Sequence, residues 1–198
     1  MAITINGNGT ISGITAGGLP TGSVTTDTLA TSAKPLFNSF AILEHYEAHG
    51  TNGQYLDADT WTGKKLNRIY TDTDSIVSLS NSNDTDFILG AGTYYITWNL
   101  EFFETDRCAS RLINVTSNNT VVKYSHNAFS QNGSAHASVS QPGDARVTLT
   151  GSTTFRIQAY ADAGSAGGNP ELGLAGSTHA NNDGSEEIYA RVIIYKEA

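Results

Sequence analysis

The stretch AGTYYITWNLEFFE, residues 91–104, alternates from Thr93 onward with a period of two. Tyr94, Ile96, Trp98, Leu100 and Phe102 fall on one side, and Thr93, Thr97, Asn99 and Glu101 on the other. Successive side chains of a strand point to opposite faces, so the pattern predicts a long strand whose aromatic face enters a core. Tyr95 and Phe103 interrupt the polar side. Rings of that size gain from partial burial, which predicts a cover over the second face as well.

On either side of this strand, aromatic and β-branched runs recur at short intervals. Strands are expected near 39–47, 62–71 (TGKKLNRIYT), 76–79, 86–89, 93–104, 110–116, 120–129, 136–149, 154–162 and 187–196. Turn chemistry lies between or within them at TNG (51–53), TDTDS (71–75), NSND (81–84), TSNN (116–119), QNGS (131–134), QPGD (141–144) and TGST (150–153). No helical period lasts more than two turns after Phe37. About ten strands at this spacing predict an all-β, antiparallel sandwich or jelly roll over residues 37–198.

The closing run IYARVIIY, 188–195, is apolar on both sides. Ile188, Ala190, Val192 and Ile194 fall on one face, and Tyr189, Ile193 and Tyr195 on the other. A sheet in a sandwich normally leaves one face to water, so a doubly apolar strand needs a second cover. A second copy of the chain is the simplest cover, and its own amino-terminal arm the alternative. Tyr95, Phe103, Tyr189, Ile193 and Tyr195 are therefore the residues expected at an interface between copies.

Residues 1–36 contain no aromatic side chain and are rich in Gly, Thr and Ser. Ile3 and Ile5 before NGNG, with Ile11 and Ile14 after it, suggest a very short hairpin, and TTDTLATSA one or two helical turns. Such a segment builds no core of its own. Pro35 marks the expected boundary between a small extended attachment segment, 1–36, and the knob.

The chain has 198 residues, a single cysteine, Cys108, and a formal charge of −8. One cysteine excludes a disulfide framework within the chain. The acidic balance and the lack of a Lys/Arg cluster argue against nucleic acid and anionic membranes as partners. No apolar run approaches the roughly 20 residues that span a bilayer, so no membrane insertion is expected. MAITINGNGT has neither the basic start nor the apolar stretch of a secretory leader, which predicts release by lysis rather than secretion.

No motif demands a cofactor or a metal, and none is expected. Asp72, Asp74, Asn83, Asp84 and Asp86 form two clusters of hard oxygen donors, but Asp and Asn are also what tight turns require. His45 and His49 have a spacing useful for zinc only on a helix, and their segment reads as strand and loop. Glu47, Glu101, Glu104 and Asp106 offer carboxylate pairs for glycoside cleavage, though spacing alone selects none of them. The chain is accordingly read as not an enzyme. Sequons begin at Asn8, Asn83, Asn114, Asn118 and Asn132, coincidences of a Ser/Thr-rich chain if it is not exported.

FILGAGTYYI, 87–96, with Leu66 and Ile69 upstream and IYARVIIYKEA at the end, resembles the trimeric jelly roll of the complement q-subcomponent head and tumour-necrosis-factor superfamily. The sequence departs from that pattern at Gly90, where the family usually has Pro, and at Arg191 in the closing strand. GITAGGLPTGSVTTDTLA, 13–30, is similar to amino-terminal segments of bacteriophage fibre proteins, and ILEHYEAHGTNGQYL followed by a jelly roll is similar to their heads. The resemblance implies a virion fibre protein. Residues 1–36 would attach to a baseplate, tail or capsid protein, and a homotrimeric knob would bind a host surface glycan or protein, with a polysaccharide expected. A virion glycan-degrading enzyme and a cellular surface adhesion module of the same fold are the alternatives. Receptor contact is expected at the distal end of the knob, where GSTHANNDGSEE (176–187) supplies His179, Asn181, Asn182 and Asp183, and the turn 104–108 supplies Arg107 to pair with an acidic sugar.

Overall fold

The computed structural model describes residues 4–5, 11–12, 36–51, 53–80, 83–103, 105–130, 138–162, 173–174 and 186–198. Every regular element among them is a strand. The chain divides into two units, Met1–Leu36 with Ala198, and Phe37–Glu197. In the first, β1 (Thr4–Ile5) pairs antiparallel with β2 (Ile11–Ser12), Ile5 opposite Ile11. The helical turns expected from TTDTLATSA lie outside the described residues.

The larger unit contains β3 (Phe37–Glu47), β4 (Gln54–Tyr55), β5 (Thr62–Gly63), β6 (Arg68–Asp72), β7 (Val77–Leu79), β8 (Asp86–Leu89), β9 (Gly92–Phe103), β10 (Asp106–Asn114), β11 (Thr120–Tyr124), β12 (Ala128–Ser130), β13 (Ser138–Leu149), β14 (Thr153–Ala161), β15 (Gly173–Leu174) and β16 (Glu187–Glu197). The first sheet runs β13-β9-β16-β3-β6, and β15 joins β9 at Phe103 and pairs with β4. The second runs β11-β10-β14-β8-β7, with β12 on β10 and β5 on β14. Consecutive strands cross between the sheets, β8 to β9 to β10 and β13 to β14, which is the winding of a jelly roll.

The alternation in β9 sets the core. Tyr94, Ile96, Trp98, Leu100 and Phe102 are all buried, facing Phe87, Leu112, Phe155 and Ile157 of the second sheet. Burial stabilises each such side chain by roughly 1.5–3 kcal/mol. The Trp98 indole donates across the core to Ser110 Oγ at 2.8 Å, so its one polar atom is satisfied.

Four expectations fail locally, each for a physical reason. The single strand expected at 62–71 is broken: β5 pairs with β14 and β6 with β3, so residues 64–67 carry the chain from one sheet to the other. Asn67 stands in for a strand residue there, its side chain bonding both N and O of Tyr46 at 2.9 and 2.8 Å. The expected strand 120–129 is likewise split into β11 and β12, both on β10. QPGD at 141–144 is no turn but the middle of β13, where Pro142 pairs with Asn99 and Gly143 with Trp98. Proline is tolerated because β13 pairs only with β9 among the described strands. Glycine is required because a Cβ at residue 143 would lie 2.2 Å from the Trp98 ring. Finally, a bulge between Ile188 and Ala190 breaks the alternation of the closing strand.

Candidate functional site: the outward face of the first sheet

Residues of β3, β16, β9 and β13 that point away from the core form three rows, fixed by strand register. Arg68, Glu44, Arg191, Asn99 and Pro142 make one; Ile42, Ile193, Thr97 and Asp144 the next; Phe40, Tyr195, Tyr95 and Arg146 the third. Tyr95, Phe103, Ile193 and Tyr195 are half-buried. The Phe37 ring lies over two of them, with centroids 5.0 Å from Tyr195 and 6.4 Å from Tyr95. A concave site of about 690 Å³ opens on this face along β13, β9 and β16, lined by Tyr95, Thr97, Asn99, Asp144, Arg191 and Ile193 among others.

The charges around Glu44 and at Arg146 are paired within the face, while Asp144 has no ion-pair partner among the described residues. Glu44, 0% exposed, accepts from Arg191 at 2.9 and 2.7 Å through one carboxylate oxygen and from Arg68 at 3.1 and 2.6 Å through the other. Arg68 also reaches Glu186 at 2.8 Å and stacks on Tyr46, 4.0 Å from its centroid. Glu186 and Glu44 together hold the Arg68 guanidinium above its ordinary value. Arg191, which departs from the family pattern, is thus the partner of Glu44. Ser140 Oγ donates to Glu101 at 2.8 Å, and Arg146 holds Glu197, drawing its carboxyl below the usual range.

Tyr189, expected on this face, is instead 6% exposed because of the bulge. Its hydroxyl donates to the Thr51 carbonyl at 2.8 Å and bonds Glu187, and its ring lies 5.5 Å from His45. Burial and the Glu187 carboxylate push the Tyr189 hydroxyl upward in pKa. His45, also buried, accepts from Lys64 Nζ at 2.7 Å through Nδ1 and contacts Glu47 at 3.0 Å through Nε2. Burial, reinforced by Lys64, lowers its pKa to about 3. Burial also drives Lys64 well below its ordinary value. This array is internal and braces the β3–β16 end of the first sheet.

The other sequence candidates are dispersed. Arg107 lies within β10 rather than in a turn, because β9 ends at Phe103 and β10 begins at Asp106, whose φ of 53° makes the reversal tight. It pairs with Asp162, and its side chain is exposed. His179, Asn181, Asn182, Asp183 and Glu104 lie outside the described residues. Asp72 caps the backbone at Ile76 and Val77, at 2.9 and 3.2 Å. Asp86 holds Arg156 at 2.9 Å; burial raises the Asp86 carboxyl, but bonds from Arg156, Asn83 and Thr85 outweigh that and lower it. Cys108 is buried, which lifts its thiol to about 11 and makes it a poor nucleophile. Sequence reading missed Glu44 and Arg68. The signal was present in a carboxylate amid the apolar run FAILEHY, where period two places residue 44 beside Ile42 on the outward face.

No family model and no curated protein matches the chain. Among solved structures, murine APRIL at pH 5.0 aligns with a TM-score of 0.50 and 7% identity, over 80% of this chain and 98% of that one. The globular domain of zebrafish complement 1qA protein aligns with a TM-score of 0.45 and 14% identity, over 79% of this chain and 93% of that one. The first of these likenesses establishes fold alone: the jelly roll expected from FILGAGTYYI is the fold found.

Proposed function

We propose that this chain is the receptor-binding head of a bacteriophage fibre. Three copies of residues 37–198 form the knob, residues 1–36 attach it to a baseplate, tail or capsid protein, and the knob takes a host-surface polysaccharide. The observation that carries the reading is the outward face of the first sheet, where Tyr95, Ile193 and Tyr195 are half-buried beside charges already neutralised at Glu44. Closing the face over the Glu44 pairs buries no unpaired ion there, and each apolar side chain covered contributes roughly 1.5–3 kcal/mol. The resemblance of residues 13–30 to fibre attachment segments supports the virion setting, and release by lysis goes with it.

A glycan-degrading enzyme would need two opposed carboxylates flanking a cleft. Glu47 is instead engaged by Lys65 at 2.8 Å and by His45, and Glu101 by Ser140. A cellular adhesion module would share the trimer but not the particle. Light scattering should give about three times the 21.0 kDa chain mass, and mass spectrometry should find the chain in purified particles. A fragment starting at Phe37 should stay trimeric and fail to enter particles. A monomeric mass would overturn the assembly, and absence from particles the virion role.

A further inference from the structure

On the opposite side of the molecule, the outward face of the second sheet gathers a second aromatic cluster. Register sets Tyr124 opposite Arg111 and Arg111 opposite Gln158, and brings Trp61, just before β5, beside Tyr160. The Trp61 ring lies 5.3 Å from Tyr160 and 6.0 Å from Tyr124. The Arg111 guanidinium lies over Trp61, its Cζ 4.0 Å from the ring centroid, and its Nε donates to Gln158 Oε1 at 2.8 Å.

What the cluster leaves unused is informative. Arg111 has no carboxylate partner among the described residues, and Nε–H is its one side-chain N–H that donates to any of them. Contact with Trp61 and the Gln158 bond restrain the guanidinium, and its remaining N–H groups donate to none of the described residues. Neither the Trp61 indole N–H nor the Tyr124 hydroxyl has a hydrogen-bond partner among the described residues, and Tyr124 is 55% exposed. Next to this ridge the outward position on β10 is the small Ala109, opposite Tyr160.

We infer that this face is a binding platform for a glycan bearing carboxylate sugars, of the hexuronic acid type. A pyranose offers an apolar C–H face to the Trp61 and Tyr124 rings and hydroxyls to the polar atoms at their rims. A carboxylate brings a single negative charge to the Arg111 guanidinium, whereas a dianionic phosphate would add a second one beside Asp59, bound by the Tyr160 hydroxyl at 2.8 Å. Charge complementarity therefore selects a singly charged, planar anion on a ring-shaped carrier. The platform lies away from the face assigned to assembly, so three copies would present three platforms to one polymer and multiply weak contacts. The inference stands whether or not the chain belongs to a virion.

The test is isothermal titration of the intact protein with oligogalacturonate and oligoalginate, with a malto-oligosaccharide as neutral control, polyglutamate as acidic peptide control, and a phosphorylated oligomannose. The uronides should bind, Trp61→Ala should weaken them at least about tenfold, and Arg111→Gln should bring them to the level of the neutral control. Tyr124→Ala should weaken them about threefold, and the melting temperature of all three variants should stay within about 2 °C of the parent. No uronide binding up to about 5 mM, unchanged binding by Trp61→Ala, or equal or tighter binding of polyglutamate or the phosphorylated glycan would each overturn the assignment. Those results would leave the trimer and particle readings standing, since neither depends on this face.

Discussion

The outward faces of the two sheets are both studded with aromatic rings, yet one arginine sets them apart, since Arg107 and Arg156 of the second sheet also meet carboxylates. On the first, Arg68 and Arg191 converge on the buried carboxylate of Glu44. On the second, Arg111 is held by a ring and a neutral amide and meets no carboxylate among the described residues. A face whose ions are mutually satisfied can be covered by apolar surface at little electrostatic cost, while a face with an unspent guanidinium can be covered only by something that brings an anion. Aromatic content alone does not separate an assembly surface from a ligand surface. The face proposed for assembly and the face inferred to take a ligand differ in the pairing of one guanidinium, that of Arg111.

The largest test of that contrast is Ile193→Asp, which sets an unpaired carboxylate in the middle of the first face. Sedimentation should show monomer or aggregated, unfolded chain, whereas Arg111→Asp on the second face should leave the assembly mass unchanged. Next is Glu44→Gln, which removes the carboxylate that Arg191 and Arg68 share and leaves Arg68 its pair with Glu186. It should cost about 2 kcal/mol in chemical denaturation, while Arg191→Gln, which leaves Arg68 on Glu44, should cost less than about 1 kcal/mol. Equal losses for the two would show that Glu44 does not organise the face.

Acid separates the sheets further. Burial and Lys64 hold His45 down to about 3. Its folded pKa lies below the unfolded value of about 6.5, so the unfolded chain binds the proton first. The stability this gives is fully present above about pH 6.5 and falls as the pH drops toward 3, a loss of about 2 kcal/mol at pH 5. His45→Asn keeps an acceptor for Lys64 and should flatten the decline in melting temperature between pH 7 and pH 5. The smallest effect is expected on the second face, where Tyr124→Ser should change stability by less than about 0.5 kcal/mol.

Much of the fold was legible because strand period and burial coincide. The buried positions of β9, from Tyr94 to Phe102, are those the alternation marked, and Tyr95 and Phe103 are half-buried as their place among polar residues implied. Legibility failed where the chain changes sheet or register. TGKKLNRIYT has the composition of one strand, but Lys64 and Leu66 turn inward between two sheets. QPGD has the composition of a turn, but Pro142 sits on a strand that pairs on one side only among the described residues, and Gly143 makes room for the indole of Trp98, 45 residues earlier (143 − 98). Tyr189 was misplaced because a one-residue bulge reverses every inference from parity on its side.

By itself the sequence determined which residues must leave water and the spacing at which they do so, and from these came the all-β class, the jelly roll and the idea of a second cover. Those are properties of local period and composition, which the backbone geometry of a strand converts directly into faces. Only the tertiary structure decided which cations are answered and which are not. Glu44 meets Arg191 across 147 positions of chain, and Arg111 meets Gln158 across 47, through strand registers that no local pattern records. Whether an exposed arginine is spent or waiting is a fact about distant strands brought side by side, and on this molecule it distinguishes the face proposed to close on copies of itself from the face inferred to take a ligand.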